Sequence, residues 1–246
     1  MKESRPAALV TGAARRIGAA IARRLHAAGY DLVLHCHASV SEAHALAVEL
    51  ESTRPGSVRV HAADLADVAA LPALVAACTD AYGRLDALVN NASGFFATPL
   101  AEATPAQWDA LFAANARAPF FLAQAAAPHL CAVQGAIVNL VDIHGERPLR
   151  GHAAYGASKA ALAFLTRALA LELAPEVRVN AIAPGAILWP EDGKDEAAKA
   201  ALLARTPLGR TGTPEEIAGA ALWLLRDAGY TTGQVLRLDG GRLLEG

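Results

Sequence analysis

The sequence predicts one doubly wound α/β domain over residues 1–246, a parallel seven-stranded sheet with helices on both faces. Three observations lead there. Short apolar runs alternate with helix-period segments along the whole chain, and no composition break divides it. With 54% hydrophobic and 19% charged residues, a chain of 246 residues can bury one large core.

The first strand is expected at residues 7–10, ending in Thr11-Gly12. A helical pattern follows through Ile17, Ala20, Ile21 and Leu25, and Gly29 closes it in the manner of a C-terminal glycine. Residues 32–34 form the second strand and 41–52 a helix; residues 58–61 form the third strand and 66–82 a helix. The fourth strand is 85–89. Thr104-Pro105 then starts a long helix, with a hydroxyl cap and proline at the first helical position. Residues 135–140, 177–182 and 234–238 complete the sheet, separated by a helix over 155–173 and one capped by Thr213-Pro214-Glu215-Glu216. Alternation of this kind implies right-handed crossovers and ligands beyond the carboxyl ends of the strands, where Thr11, Asn90, Asp142 and Pro184 fall.

The formal charge of −2 and the lack of a basic run give nucleic acid no electrostatic hold. Met-Lys-Glu-Ser-Arg-Pro lacks the apolar region of a signal peptide, and no later stretch is long enough to span a bilayer. Cys36, Cys78 and Cys131 are too few and scattered for a disulfide framework, so a cytoplasmic location is expected. The sequon Asn91-Ala92-Ser93 is read as chance.

Thr11-Gly12-Ala13-Ala14-Arg15-Arg16-Ile17-Gly18 joins the first strand to the first helix. Gly12 permits a tight turn, Gly18 permits close helix packing, and the free amides at the helix start suit a pyrophosphate. Two glycines alone also make an ordinary turn; their place in the first βαβ unit favours the dinucleotide. The second strand ends in His35-Cys36-His37-Ala38-Ser39, with no acid to hold ribose hydroxyls, and Arg15, Arg16 and Ser39 favour a 2′-phosphate, so NADPH is expected. His35 and His37 share a strand face, but no third ligand follows at metal spacing, so no metal is expected. Asp64-Leu65 meets the adenine or caps the following helix; the residues leave both open.

Tyr155 and Lys159 stand four apart in Tyr-Gly-Ala-Ser-Lys and share a helix face. An ammonium there is expected to lower the tyrosine pKa and ease proton exchange, although such a pair also occurs incidentally on helices. Asp142 lies thirteen residues before Tyr155.

Taken together, Thr11–Gly18, Asp64-Leu65, Asn90-Asn91-Ala92, Asn115, Tyr155-x3-Lys159, Ala183-Pro184-Gly185 and Asp239-Gly240-Gly241 resemble the short-chain dehydrogenase/reductases over essentially the full chain. The resemblance implies a Rossmann-type fold, a tyrosine proton donor, a lysine that also holds the nicotinamide ribose, and Asn115 supporting a water relay to that lysine. It implies a cofactor site of Gly12, Arg15, Arg16, Ile17, Gly18, His35, His37, Ser39, Asp64, Leu65, Asn91, Ala92, Ser93, Tyr155, Lys159, Pro184 and Gly185.

Three positions depart from the general pattern: Arg16 replaces the middle glycine, Asp142 replaces the usual serine, and Ser93 follows Asn91-Ala92. Asp142 alone reads as a degenerate site. Jointly the three resemble the pteridine reductases of this fold, as do 34–37 and 95–100. One difference within that group is Ala38, where some members carry an arginine for the 2′-phosphate.

A pterin is reduced at C=N, so a ring nitrogen takes a proton as hydride reaches carbon, and an Asp142–Tyr155 pair suits that task. The resemblance implies Phe95 stacking the pterin, or else packed into the core, with Arg16 and Ser93 at pterin or phosphates and Leu188 and Trp189 walling the pocket. The stretch through Gly193 to Glu196 reads as a mobile lid over 187–200. The helix over 155–173 is apolar nearly all round; the resemblance implies a homotetramer through it, while burial in one monomer is the alternative. The expected activity is NADPH-dependent reduction of a dihydropterin or dihydrofolate. The rivals are a 3-oxoacyl-thioester or other carbonyl reductase, and a dinucleotide-binding regulator without turnover.

Overall fold

The computed structural model describes residues 5–188 and 196–244. Seven parallel strands form one sheet in the order β3-β2-β1-β4-β5-β6-β7: β1 Ala7–Val10, β2 Asp31–Cys36, β3 Val58–Ala62, β4 Ala87–Asn90, β5 Ala136–Leu140, β6 Arg178–Pro184 and β7 Val235–Leu238. The order reverses between β1 and β4, which opens a crevice at their carboxyl ends. Expected and observed strands differ by a residue or two at their ends.

Successive residues of each strand serve opposite faces. Ala8, Val10, Leu32, Leu34, Val89 and Val138 pack with Ile21, Leu25, Ile217 and Leu222. Leu9, Val33, Leu88 and Ile137 pack on the other side with Leu74, Val75, Leu122, Leu130 and Leu169. A two-residue period with both sets buried is the signature of a sheet covered twice.

The helices are α1 Arg16–Ala27, α2 Val40–Glu51, α3 Leu71–Tyr82, α4 Pro105–Phe112, α5 Ala118–Cys131, α6 Ala153–Leu173, α7 Glu196–Ala204 and α8 Pro214–Leu222. Two expectations need correction. The helix expected from residue 66 begins at Leu71, because Asp67 caps a 3-10 turn over Val68–Ala70 and Pro72 lies in the first turn of α3. The long helix after Thr104 is broken by a π-helical stretch, Ala113–Arg117. Pro119 explains the break: it has no N–H for the Asn115 carbonyl, the partner it would serve in a regular helix. Glu196, where the charged run ends, starts α7, and Lys199 pairs with it at 2.7 Å. Trp189 and the core of the expected lid, residues 189–195, lie outside the described residues.

Both hydroxyl caps form as expected. Thr104 accepts from Gln107 N and Thr213 accepts from Glu216 N, each in a reciprocal capping box.

Candidate active site

At the carboxyl end of β1 the chain turns through Gly12, at φ 61°, into α1. A side chain at Gly12 would lie 2.9 Å from Ala92 Cα, and one at Gly18 would lie 2.1 Å from the Gly12 carbonyl oxygen. Only glycine lets α1 approach the turn this closely. The first turn of α1 carries no acidic residue, so its amides face no competing charge. This cradle fits the pyrophosphate of a dinucleotide.

Several residues named above hold this cradle from behind. The His35 ring is buried, accepting Gly12 N–H at Nδ1 (3.2 Å) and facing the Ala63 carbonyl through Nε2 at 3.1 Å. Those two partners fix the neutral tautomer with its proton on Nε2, and burial lowers the ring's pKa, which keeps it neutral. Asn91 Nδ2 donates to the carbonyls of Thr11 (2.9 Å) and Gly12 (3.0 Å), and Thr11 Oγ1 accepts from the amides of Asn91 and Ala92. Ile17 packs against one core layer and Leu65 is buried in the other.

The solvent side of the cradle carries the charge. Arg15 and Arg16 are exposed, and Arg15 lies 3.7 Å from Glu42 in the first turn of α2. Arg16 occupies the left-handed region, at φ 52°, where the family pattern has glycine. Such a conformation costs a non-glycine residue about 1–2 kcal/mol, so the arginine is retained against a backbone penalty. His37 is exposed, and Ser39 precedes α2 without spending its hydroxyl on a cap. Asp64 accepts Ala66 N–H at 2.9 Å, a turn contact consistent with a local structural role. Gly185 follows β6, donating its N–H to Leu238 O at 2.9 Å; a side chain there would meet Asp239 Cα at 2.7 Å.

The reacting end lies at the ends of β5 and β6 against α6. Asp142 caps a 3-10 turn over Ile143–Gly145, accepting His144 N–H through Oδ1 at 2.8 Å. Its Oδ2 accepts the Tyr155 hydroxyl at 2.7 Å. Two glycines allow this meeting: a side chain at Gly145 would lie 3.0 Å from Ala160 N, and one at Gly156 would lie 2.8 Å from His144 O.

Burial first, and then the Asp142 charge and hydrogen bond, drive the Tyr155 pKa upward, while a contact with Ser93 pulls it down. The net shift is upward, where the sequence led to the expectation of a lowered value. Lys159 is buried, donates from Nζ to Leu140 O at 2.7 Å, and lies 6.0 Å from the centre of the Tyr155 ring. Burial brings its own pKa down to about 8, against a pull upward from Asp142.

The Asn115 side chain is turned away from the lysine. Its Oδ1 accepts from Ser93 Oγ (3.0 Å) and Gly94 N (2.8 Å), and its Nδ2 donates to Gly94 O (3.0 Å) and Ser158 Oγ (2.9 Å). Asn115 thereby fixes the loop after β4, while Pro119 leaves its carbonyl without a regular helical donor.

That loop carries Phe95, which is 57% exposed rather than packed into the core. Its ring lies edge-on to Tyr155 at 4.8 Å and stacks on His152 at 4.9 Å with 16° between the planes. Leu188 is 39% exposed at the end of the described segment. Sequence reasoning missed His152 and Ser158; the signal for the first was a histidine three residues before the tyrosine, at the N-cap of α6.

Among the described residues no group of three or more metal-ligating side chains comes together, and no helix is long and apolar enough to cross a membrane. The family model described as enoyl-(acyl carrier protein) reductase matches residues 12–242. Pteridine reductase 1 of Leishmania tarentolae is 37% identical, over 96% of each chain. The putative ketoacyl reductase 2 of the granaticin polyketide synthase of Streptomyces violaceoruber is 42% identical, over 96% of this chain and 95% of its own. A 3-oxoacyl-acyl-carrier-protein reductase of Thermotoga maritima is 36% identical, over 96% and 97%. With a glycine cradle at the sheet's switch point, a family model matched over residues 12–242 and relatives of 36–42% identity along nearly the whole chain, the chain belongs to the short-chain dehydrogenase/reductase family of oxidoreductases.

Proposed function

We propose that this chain is an NADPH-dependent reductase of pteridines, adding hydride and a proton across a C=N bond of a dihydropterin or dihydrofolate. The observation that carries the reading is the 2.7 Å hydrogen bond from Tyr155 to Asp142. A carbonyl reductase has use for a neutral hydroxyl beside its tyrosine, to polarise the carbonyl oxygen. A ring nitrogen needs a proton delivered outright, and a carboxyl group behind the phenol can reload it.

The nicotinamide supplies the hydride when bound. The protein's part is the proton. Tyr155 gives its hydroxyl hydrogen to the ring nitrogen as hydride reaches the neighbouring carbon, and the pair is recharged by a proton from solvent that returns to the phenolate and restores its hydrogen bond to Asp142. Lys159 and the Asn115 carbonyl offer a polar route for that recharging, and Lys159 is the candidate for holding the ribose.

His37 and Ser39 follow β2 where a 2′-phosphate would sit, no acid stands there, and Arg15 reaches the first turn of α2 at Glu42, which supports NADPH. Phe95 offers an exposed ring for stacking the pterin, and Ser93 and Arg16 are the candidates for contacts to the pterin or the cofactor phosphates. A homotetramer belongs to this reading: Phe164 and Leu171 of α6 stand 66% and 83% exposed on the single chain. So does a cytoplasmic setting, which three free cysteines suit.

The second reading is a 3-oxoacyl-thioester reductase, favoured by the 42% identity to the Streptomyces ketoacyl reductase. NADPH oxidation measured in parallel with dihydrobiopterin, dihydromonapterin, dihydrofolate and acetoacetyl-CoA separates the two. Turnover of at least one dihydropteridine supports the proposal; turnover of acetoacetyl-CoA alone supports the second reading.

A further inference from the structure

The first position before α6 belongs by chemistry to serine, threonine, aspartate or asparagine, whose short oxygens reach back to free amides. This chain has His152 there, and its ring makes no cap hydrogen bond. The ring lies instead flat against Phe95, three residues before the tyrosine. Its Nδ1 lies 3.1 Å from the Arg150 carbonyl, which can only accept, so that nitrogen carries a proton and the ring plane is anchored at one edge.

The backbones that carry the two rings are tied to each other as well. Thr98 N–H donates to Gly151 O at 2.7 Å, and Gly151 adopts φ 75°, open to glycine at little cost. Loop and helix start thus form one unit, with Asn115 holding the loop from its other end. Without a neighbour, a phenylalanine ring turns over a broad range about its last torsion. With His152 behind it, the exposed Phe95 ring has one orientation, edge to Tyr155.

We infer that His152 is a positioning residue: by stacking on Phe95 it presets the aromatic wall against which a planar bicyclic substrate lies while Tyr155 gives up its proton. This rests on the pteridine reading of the site. Presetting a ring saves ordering at the moment of binding, so the effect belongs in substrate affinity and not in the chemical step.

The test compares wild type, His152→Ala and His152→Phe. KM and kcat are measured for dihydrobiopterin, KM for acetoacetyl-CoA wherever it turns over, and Kd for NADPH and for oxidised biopterin. An aromatic pair of this kind is worth about a three- to tenfold change, so His152→Ala raises the pterin KM and Kd by that factor. Its kcat stays within about twofold and its NADPH Kd is unchanged, because the ring caps nothing and touches no cofactor residue. His152→Phe, which keeps the stack, returns both pterin constants to within about twofold of wild type.

Unchanged pterin constants in His152→Ala, or a His152→Phe as weak as the alanine variant, overturn the inference and leave the pteridine reading intact. So does a loss shared equally by NADPH and acetoacetyl-CoA, which marks a general structural role. A wild-type protein that neither binds biopterin nor reduces any dihydropteridine removes the reading and this inference with it.

Discussion

The cofactor end and the reacting end of this crevice use their polar side chains in opposite directions. At the cofactor end, His35, Thr11 and Asn91 point into the protein and hold the Gly12 turn, leaving backbone amides and a few exposed side chains to meet a ligand. At the reacting end the functional side chains meet one another, buried Tyr155 donating to Asp142 and lying edge-on to the exposed Phe95 ring, and the glycines lie behind them at Gly145 and Gly156. A pyrophosphate is recognised by amides on a rigid turn, so that end asks for shape. Proton delivery asks for a particular functional group at a particular atom, so that end asks for chemistry.

If this division holds, substitutions at the reacting end remove turnover and spare cofactor binding. Tyr155→Phe has the largest effect, a fall of about 10²–10⁴ in kcat with NADPH affinity retained, because the general acid is gone. Loss of NADPH binding in this variant would break the comparison. Asp142→Asn follows, with kcat for a dihydropteridine down about a hundredfold. It also lowers the Tyr155 pKa, since both the charge and the hydrogen bond that raise it are weakened. The expected sign is tyrosinate absorbance in Asp142→Asn, absent from the Asp142→Asn/Tyr155→Phe double variant, at an alkaline pH where the wild-type Tyr155 stays protonated.

At the cofactor end the expected signature is the reverse. Gly18→Ala drives a methyl group to 2.1 Å from the Gly12 carbonyl oxygen. It costs about 2–3 kcal/mol of stability and most of the NADPH affinity, seen in thermal unfolding and in cofactor titration. A variant of wild-type stability that still binds NADPH would mean that the turn is softer than its contacts imply.

Two pH effects are smaller and sharpen the same contrast. Lys159, held at about 8, loses its charge as pH rises past that value, so kcat/KM for NADPH declines on the alkaline side well below the ordinary lysine range. His35 acts on the acid side. Its folded pKa lies below its ordinary 6.5, so the folded chain favours the neutral ring. The stability it contributes is whole above pH 6.5 and falls as pH drops through the window between 6.5 and the lower folded value. His35→Asn flattens that slope in denaturant titrations taken across the window.

Much of this was legible in the sequence because it is written in local terms. Strand and helix alternation, the two capping boxes, Gly12 and Gly18, and the Tyr155–Lys159 spacing each follow from a few adjacent residues. Asp142 was legible as a departure, and the structure joins it to Tyr155. What stayed hidden depends on partners distant in the chain. No local rule says that the His35 ring faces Gly12 and Ala63 instead of a phosphate, nor that the Asn115 amide turns to Gly94 and Ser158. Lys159 shares a helix face with Tyr155 as its spacing requires, yet its ammonium serves the end of β5. The break at Ala113–Arg117 was signalled by Pro119 and outweighed by the apolar pattern around it.

The central claim is that Asp142 and Tyr155 form a proton-donating pair for a ring nitrogen. It is tested most directly by replacing Asp142 with serine and measuring dihydrobiopterin and acetoacetyl-CoA reduction side by side at saturating NADPH. The account predicts that Asp142→Ser lowers kcat/KM for dihydrobiopterin about a hundredfold while acetoacetyl-CoA reduction rises or stays level. Undiminished pterin turnover in the serine variant would contradict it, since the carboxyl group would then have no part in delivering the proton.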